Sequence, residues 1–233
     1  MKLDILAFGA HPDDVEIGAG GTLAKAAGEG KRTGIIDLTR GELGTRGSAD
    51  LRDQEAAKAS EILGLTVREN LALADGFFQD NRETRMQIIE KVRTYQPEVV
   101  ICNSVEDRHP DHARAANLVA ESCFLSGLRK IENGQEAWRP RTVLHIIQDY
   151  DLNPSIIIDI DGYMDQKMNS ILAYSSQFYN PNSDEPETPI SGQEFLDAIR
   201  GRAAQYGRRI GTGFGEGFTM ERPPGVKSIF DIY

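Results

Sequence analysis

The chain has 233 residues, of which 39% are hydrophobic and 27% are charged, and its formal net charge is −10 at pH 7. This length fits one domain with a large core, predicted to span residues 1–233. The acidic balance argues against nucleic acid as a partner, because binding phosphates requires a basic surface. No apolar run has the length of a membrane span, and the N-terminus does not read as a signal peptide. We therefore expect a cytoplasmic protein with neither a membrane nor a nucleic-acid partner.

Short apolar runs alternate with helical stretches through the first two-thirds of the chain. The runs predict strands over residues 4–9, 33–39, 66–73, 98–104, 142–148 and 155–160. The stretches predict helices over residues 20–29, 51–63, 83–95, 111–126, 161–173 and 192–206. This alternation is typical of an α/β, Rossmann-like fold, in which a mostly parallel sheet carries helices on both faces. The C-terminal third is predicted to be irregular, with a polar loop at 180–187 and a glycine-rich tail at 211–218.

Two clusters of histidine and aspartate follow predicted strands. His11-Pro12-Asp13-Asp14 comes directly after the first strand, and His109-Pro110-Asp111-His112 comes shortly after the fourth. Together they contain three of the four histidines of the chain. Because open α/β sheets build their sites at the carboxyl ends of strands, we expect the two clusters to converge. Imidazole and carboxylate groups are ligands of zinc, which is therefore the leading metal candidate.

Each cluster offers two candidate ligands three residues apart, His11 with Asp14 and His109 with His112. A catalytic zinc site uses three protein ligands and leaves one position for water, so the spacing alone does not choose among these four. Either cluster by itself also fits a structural interpretation, since His-Pro occurs in turns and Asp caps helices. Two matched clusters at strand ends favour a metal site.

The sequence also resembles a known family. The first cluster, followed by Gly20-Gly21-Thr22, resembles the N-terminal signature of LmbE-like, PIG-L-type zinc deacetylases. The second cluster resembles the downstream metal motif of that family, and Glu216-Gly217-Phe218 with Arg222-Pro223 resembles its closing segment. The resemblance therefore spans essentially the whole chain and implies a metal-dependent hydrolase of amide bonds.

A finer resemblance is to the deacetylases of bacillithiol biosynthesis within that family. Most of the family has glutamate directly after the second aspartate, whereas here Val15 intervenes and Glu16 follows. The segments 37–47, 106–108 and 174–178 resemble the same subgroup. The subgroup removes the acetyl group from N-acetylglucosaminyl malate, so the resemblance implies an N-acetylated amino sugar as the small-molecule substrate.

The resemblance also implies roles for the residues of the two clusters. It makes His11, Asp14 and His112 the ligands of one Zn²⁺ per chain. Asp13 becomes the general base for the attacking water. His109 is left without the metal, to stabilise the oxyanion or to protonate the leaving amine.

Further roles follow from the same resemblance. Asp111 is expected to act beside the ligands by orienting His109 or His112. Arg52 matches an arginine near the substrate in the subgroup, and a guanidinium suits a malate carboxylate. Arg46 is a second candidate for that contact. Relatives in the subgroup form hexamers, so a homo-oligomer is expected.

Two alternatives remain open at this point. The first is a nucleotide-binding module, prompted by Gly18-Ala19-Gly20, although Leu23 stands where the dinucleotide fingerprint has its third glycine. The second keeps the deacetylase chemistry and changes the substrate to another N-acetylglucosamine derivative, such as a chitooligosaccharide or a thiol S-conjugate.

Overall fold

The computed structural model describes residues 1–232. In these residues one sheet contains seven strands, in the spatial order β3-β2-β1-β4-β5-β7-β6. The strands are β1 (Ile5–Gly9), β2 (Thr33–Thr39), β3 (Val67–Leu73), β4 (Val99–Cys102), β5 (Thr142–Ile146), β6 (Ile156–Asp159) and β7 (Gly215–Thr219). The first five strands are parallel to one another, whereas β7 runs antiparallel to both β5 and β6. The predicted mostly parallel α/β sheet is confirmed.

Six α-helices and one short 3-10 turn (Ile229–Asp231) accompany the sheet in the described residues. The helices are α1 (Asp14–Gly28), α2 (Ala49–Leu63), α3 (Arg82–Tyr95), α4 (Pro110–Ser126), α5 (Met164–Leu172) and α6 (Gln193–Ile210). Side chains of α3 and α4 form one core with Leu6 and Phe8 of β1, whereas Ala7 packs with α1 on the opposite face. This alternation places helices on both faces, as predicted. None of the helices within residues 1–232 combines the length and apolar character that crossing a bilayer requires.

The C-terminal third has more regular structure than the sequence predicts. The glycine-rich tail contributes β7, which lies between β5 and β6. Glycine is disfavoured in strands, but here it is required by close packing. A Cβ on Gly217 would lie 2.8 Å from the ring of Tyr206, and one on Gly215 would lie 2.7 Å from Ile157. Tertiary packing therefore overrides the low strand propensity of these residues.

Helix α1 begins at Asp14 rather than at the predicted residue 20. Its glycines lower its helix propensity, which obscured its true start, but they allow the helix to approach the sheet closely. A Cβ on Gly18 would lie 2.6 Å from Ile146, and one on Gly21 would lie 2.7 Å from Ile160. The start at Asp14 places the end of the first cluster inside the helix, where its position is fixed by packing.

We expect Gly18→Ala to lower the free energy of unfolding by about 1–3 kcal/mol, the usual effect of overpacking a core. Urea denaturation followed by circular dichroism measures this change. Gly201→Ala in α6 is the matched control, because the Cβ that it adds has no atom within 4 Å apart from the adjoining backbone of its own helix and its chain neighbours. The control should gain up to about 1 kcal/mol of stability from helix propensity. Equal effects of the two substitutions would contradict the close approach of α1 to the sheet.

The two clusters converge because their strands are neighbours. β1 and β4 are parallel, with Ile5 opposite Val99. Their carboxyl ends therefore lie at the same edge of the sheet, and β1 has β2 on its other side. A switch point of this kind opens a crevice between the loops that follow the two strands. The first cluster follows β1 and leads into α1, and the second follows β4 and leads into α4.

Candidate active site

The site occupies a cavity of about 420 Å³ at the carboxyl ends of the strands. His11, Asp13, Asp14, His109 and His112 all line it. The rings of the three histidines form a compact group, with centroids separated by 4.7 Å, 5.6 Å and 5.1 Å. The structure thus brings the two predicted clusters together.

The tight turn after β1 presents both aspartates to this cavity. The backbone N–H of His11 donates to Asp14 Oδ2 at 2.9 Å, which closes the turn. Asp13 has φ 117°, in a region that favours glycine. Because the turn is closed by Asp14 and is followed at once by α1, it holds Asp13 in this conformation.

Asp14 lies between two histidine rings. Its Oδ1 is 3.1 Å from His112 Nε2, and its Oδ2 is 3.5 Å from His11 Nδ1. The other ring nitrogens face outer carboxylates: His11 Nε2 is 3.0 Å from Asp75 Oδ1, and His112 Nδ1 is 3.4 Å from Asp107 Oδ1. A histidine that binds a metal commonly donates its second ring N–H to a carboxylate in this way. The arrangement therefore suits a cation shared by His11, Asp14 and His112.

Two ligand sets with a different membership bring all their ligand atoms close enough together to bind a cation. The ligand atoms of His11, His109 and His112 lie within 4.8 Å of one another, and the same is true of His11, Asp75 and Asp111. Distances alone therefore do not select one set. The outer carboxylates favour the set of His11, Asp14 and His112. The rings of His11 and His112 each have one nitrogen toward Asp14 and the other toward an outer carboxylate.

The charge balance of the site fits a divalent metal. Several buried carboxylates converge on it, and burying unpaired negative charge is costly. These carboxylates are Asp13, Asp14, Asp75 and Asp111. Two fixed cations are close to them: Arg52 lies 4.0 Å from Asp13, and Arg114 lies 2.5 Å from Asp111. The remaining negative charge, with imidazole and carboxylate donors around it, suits a borderline metal ion such as Zn²⁺.

Burial and neighbouring charges shift the ionisation of these groups. Burial raises the pKa of Asp13 to about 7, and the nearby Arg52 limits the rise. Burial alone would raise the pKa of Asp14, but His112 and His11 outweigh it and hold that pKa well below its usual value. Burial would likewise lower the pKa of His112, yet Asp14 and Asp107 raise it to about 9.

His109 is the N-cap of α4 and presents one nitrogen to the cavity. Its Nδ1 accepts a hydrogen bond from the backbone N–H of Asp111 at 3.2 Å. In a neutral imidazole one nitrogen accepts and the other donates, so Nε2 carries the proton. Burial, together with the charges of His11 and His112, lowers the pKa of His109, which favours this neutral form. His109 is therefore set up as a hydrogen-bond donor.

The Asp111 carboxylate faces a different partner from those predicted. Its Oδ2 lies 3.4 Å from His11 Nε2 and accepts from the backbone N–H of Gly76 at 2.8 Å. It thus faces His11 rather than His109 or His112, because the first turn of α4 directs it toward the loop after β3. The carboxylate that faces His112 is Asp107.

The two candidate arginines lie in different places. Arg52 lines the active-site cavity, and in residues 1–232 the single carboxylate within 4.0 Å of its guanidinium is that of Asp13. Arg46 lines an adjacent cavity of about 620 Å³ instead. Its guanidinium donates to Ser183 Oγ at 2.7 Å and to the Gln177 carbonyl at 3.4 Å. Arg52 is therefore the better placed of the two to meet a group in the active-site cavity.

Comparison with known proteins identifies the family. The sequence profile of the PIG-L family, described as GlcNAc-PI de-N-acetylase, matches residues 6–123, which are just over half of the chain and contain both clusters. The chain belongs to the PIG-L family. This assignment confirms the resemblance seen in the two clusters and leaves no support for the nucleotide-binding alternative.

Two curated relatives agree with this assignment, and a solved structure has the same fold. The diacetylchitobiose deacetylase of Thermococcus kodakarensis is 28% identical over 95% of this chain and 84% of its own length. The 1D-myo-inositol 2-acetamido-2-deoxy-alpha-D-glucopyranoside deacetylase of Kribbella flavida is 25% identical over 86% of this chain and 93% of its own length. The crystal structure of the conserved protein TT1542 from Thermus thermophilus has a TM-score of 0.89 and 36% identity, covering 97% and 98% of the two chains. This PIG-L chain is accordingly a metal-dependent N-deacetylase, a hydrolase of amide bonds.

Several supporting residues of this PIG-L site escaped the sequence prediction. Asn103 and Gln148 follow β4 and β5, and their side-chain amides donate to the two oxygens of Asp14, each at 2.9 Å. Asp75 follows β3 and links His11 to the loop at Leu43. Its carboxylate contacts the His11 ring and accepts a hydrogen bond from the backbone N–H of Leu43 at 2.9 Å. The signal that could have found them is a polar residue at the carboxyl end of a predicted strand or just after it.

Glu16, which distinguishes the finer subgroup resemblance, lies beneath this PIG-L site rather than in it. Its Oε1 accepts from Arg68 at 2.6 Å and from the Tyr174 hydroxyl at 2.9 Å, and the side chain is fully buried. Arg68 also binds Asp37 through two hydrogen bonds of 2.8 Å and 2.9 Å. The network joins α1, β2, β3 and the segment after α5, so its role is to hold the start of α1 in place.

Proposed function

We propose that this chain removes the acetyl group from an N-acetylglucosamine conjugate, and that the natural conjugate is N-acetylglucosaminyl malate of bacillithiol biosynthesis. The names of the two curated relatives support the wider class, since both are deacetylases of acetylated amino sugars. The segments that resemble the bacillithiol subgroup support the malate conjugate. Zn²⁺ is the proposed metal, one per chain.

The observation that carries the malate assignment is the environment of Arg52. This guanidinium is buried, lines the cavity and lies 4.0 Å from the nearest carboxylate oxygen, that of Asp13. A buried guanidinium with free donors is suited to a ligand carboxylate, which it can bind through two parallel hydrogen bonds. Malate provides two carboxylates, whereas a neutral chitooligosaccharide provides none.

We assign the metal to His11, Asp14 and His112. Zn²⁺ bound there would acidify water and polarise the acetamide carbonyl. Asn103 and Gln148 hold the two oxygens of Asp14, while Asp75 and Asp107 orient the two rings. The chain's own side chains thus hold all three proposed ligands in their orientations.

Asp13 and His109 are left for proton transfer. Both line the cavity, and neither is held by an outer carboxylate as the proposed ligand rings are. Asp13 accepts the proton of the attacking water as general base. His109 presents its Nε2–H to the acetamide, where it stabilises the oxyanion or protonates the departing amine. Arg52 keeps the Asp13 carboxyl partly ionised and binds the acidic end of the substrate.

A comparison of substrates tests the proposal. The Zn²⁺-loaded enzyme is assayed for amine release on N-acetylglucosaminyl malate, diacetylchitobiose and free N-acetylglucosamine. A kcat/KM at least about 100-fold higher for the malate conjugate, the factor of one bidentate charged contact, supports it. Equal constants would remove the malate assignment and favour the chitooligosaccharide or a thiol S-conjugate. Absence of amine release from all such conjugates would remove the deacetylase proposal.

We expect Arg52→Met to lower kcat/KM on the malate conjugate by about 10- to 100-fold more than on diacetylchitobiose, because only the first substrate loses a charged contact. Comparing two substrates separates this loss from any effect of Arg52 on Asp13, which both substrates share. Arg46→Met is the matched control and should act equally on both. A substrate-selective loss in Arg46→Met alone would transfer the carboxylate contact to Arg46.

The assembly and domain predictions remain proposals. The hexamer that the subgroup resemblance implies and the single domain over residues 1–233 both stay predictions. The proposed site does not depend on either of them, because all of its residues belong to one chain.

A further inference from the structure

A buried ion pair lies behind the active site, outside its cavity. Lys167 of α5 and Glu216 of β7 have side chains that are each 3% exposed, and Lys167 Nζ is 2.5 Å from Glu216 Oε1. Both residues come from the C-terminal third of the chain. Removing two charges from water is costly, and an apolar pair of similar size is often as stable or more stable. Stability alone is therefore a weak explanation for this pair.

The ion pair binds the backbone of α1 in the middle of the helix. Lys167 Nζ donates to the Ile17 carbonyl at 2.6 Å. The Glu216 carboxylate accepts from the backbone N–H groups of Gly21 at 2.9 Å and Thr22 at 2.7 Å. In a regular α-helix the N–H of Gly21 donates to the carbonyl of Ile17. The two groups that pair in this helical hydrogen bond thus each have a charged side-chain partner as well, and side chains that enter the backbone hydrogen-bond ladder can set the direction of a helix.

The turn of α1 that the ion pair contacts lies next to residues of the active site. The backbone N–H of Ile17 donates to the Asp13 carbonyl at 3.0 Å, and the Ile17 side chain lines the cavity. Asp14 is the first residue of the same helix. A change in the direction of α1 at Ile17 therefore moves the carboxylates of both aspartates relative to His112, which is held by α4.

We propose that Lys167 and Glu216 are positioning residues that set the direction of the first turn of α1, and through it the placement of Asp13 and Asp14. The inference rests on the proposed metal site. The glycines of α1 make these contacts possible, because they let the helix come close enough for the side chains of Lys167 and Glu216 to reach its backbone. A Cβ on Gly20, for example, would lie 3.4 Å from Lys167 Cγ.

The double variant Lys167→Met/Glu216→Leu tests the proposal. It removes both charges, and the N–H of Gly21 and the carbonyl of Ile17 can still pair with each other within the helix, so the fold should persist. We expect its Zn²⁺ affinity, measured by competition with a chromogenic chelator, to fall at least about tenfold, the lower end of the effect of disturbing the partners of metal ligands. We also expect kcat to fall while KM stays within about threefold, because a small misplacement of reacting groups acts on the chemical step.

Lys25→Met is the matched control on the same helix. Lys25 Nζ binds the Asp159 carbonyl at 2.8 Å and anchors the far end of α1. This variant should keep the Zn²⁺ affinity and kcat of the wild type, whatever its melting temperature. Equal weakening of Zn²⁺ binding in both variants would overturn the proposal, since any loosening of α1 would then suffice.

The remaining outcomes are also decisive. Wild-type Zn²⁺ affinity and kcat in the double variant would overturn the positioning role and leave the metal site intact. Failure of the wild-type protein itself to bind Zn²⁺ would instead overturn the proposed metal site. Should the double variant not fold, Glu216→Gln, which keeps the shape of the side chain, is measured with the same criteria.

Discussion

Asp13→Ala is expected to retain Zn²⁺ and to lose about 100- to 10,000-fold in kcat, because the loss of a general base typically has an effect of that size. In the structure the Asp13 carboxylate lines the cavity beside the proposed ligands, while its neighbour Asp14 is held between two histidine rings. Turnover is measured by amine release, and metal content by elemental analysis of the purified protein.

Asp13→Asn is the companion variant. Asparagine tolerates a positive φ better than alanine, so it separates loss of the carboxylate from disturbance of the turn. Both variants should lose turnover to a similar degree. Normal activity in either would remove Asp13 from the role of base, and loss of Zn²⁺ from both would make it a ligand instead.

His112→Ala should lose Zn²⁺ and activity together, whereas His109→Ala should keep Zn²⁺ and lose most of its turnover. The two histidines are matched controls for each other, since they have the same side chain and lie three residues apart. We expect the Zn²⁺ affinity of His112→Ala to be more than about 100-fold lower than that of the wild type. This loss exceeds the range seen when only an outer partner of a metal ligand is removed.

The same pair of variants decides between the competing ligand sets. A metal held by His11, Asp14 and His112 tolerates the loss of His109, but a metal held by the three histidines does not. Loss of Zn²⁺ from His109→Ala, with retention in Asp14→Asn, would therefore reverse the assignment. Equilibrium competition with a chelator measures each affinity.

The sequence predicts the central part of the fold and the meeting of the two clusters. Apolar runs indicate β1, β2, β4 and β5 because these strands are largely buried on both faces. The first cluster lies directly after β1 and the second shortly after β4, and adjacent parallel strands end at the same edge of the sheet. Local pattern and general topology are therefore sufficient for this part of the site.

The other parts of the fold and of the site could not be predicted from local sequence, because they depend on contacts between distant segments. Strand β7 has a glycine-rich sequence whose packing against Tyr206 no local pattern reveals. Asp75 is a single acid after a strand, and its role follows from meeting His11 across the cavity. The partner of Asp111 depends on the direction in which α4 begins. The short distance in sequence between Asp111 and the two histidines beside it does not fix that direction.

The backbone of Asp13 has a consequence for the evolution of this fold. Its φ of 117° is one that glycine adopts most easily, and any other residue there costs about 1–3 kcal/mol. Glycine would relax the turn, yet it would also delete the carboxylate that we assign as the base. Selection for thermal stability and selection for turnover thus favour different residues at this one position. The strained aspartate indicates which of them has prevailed.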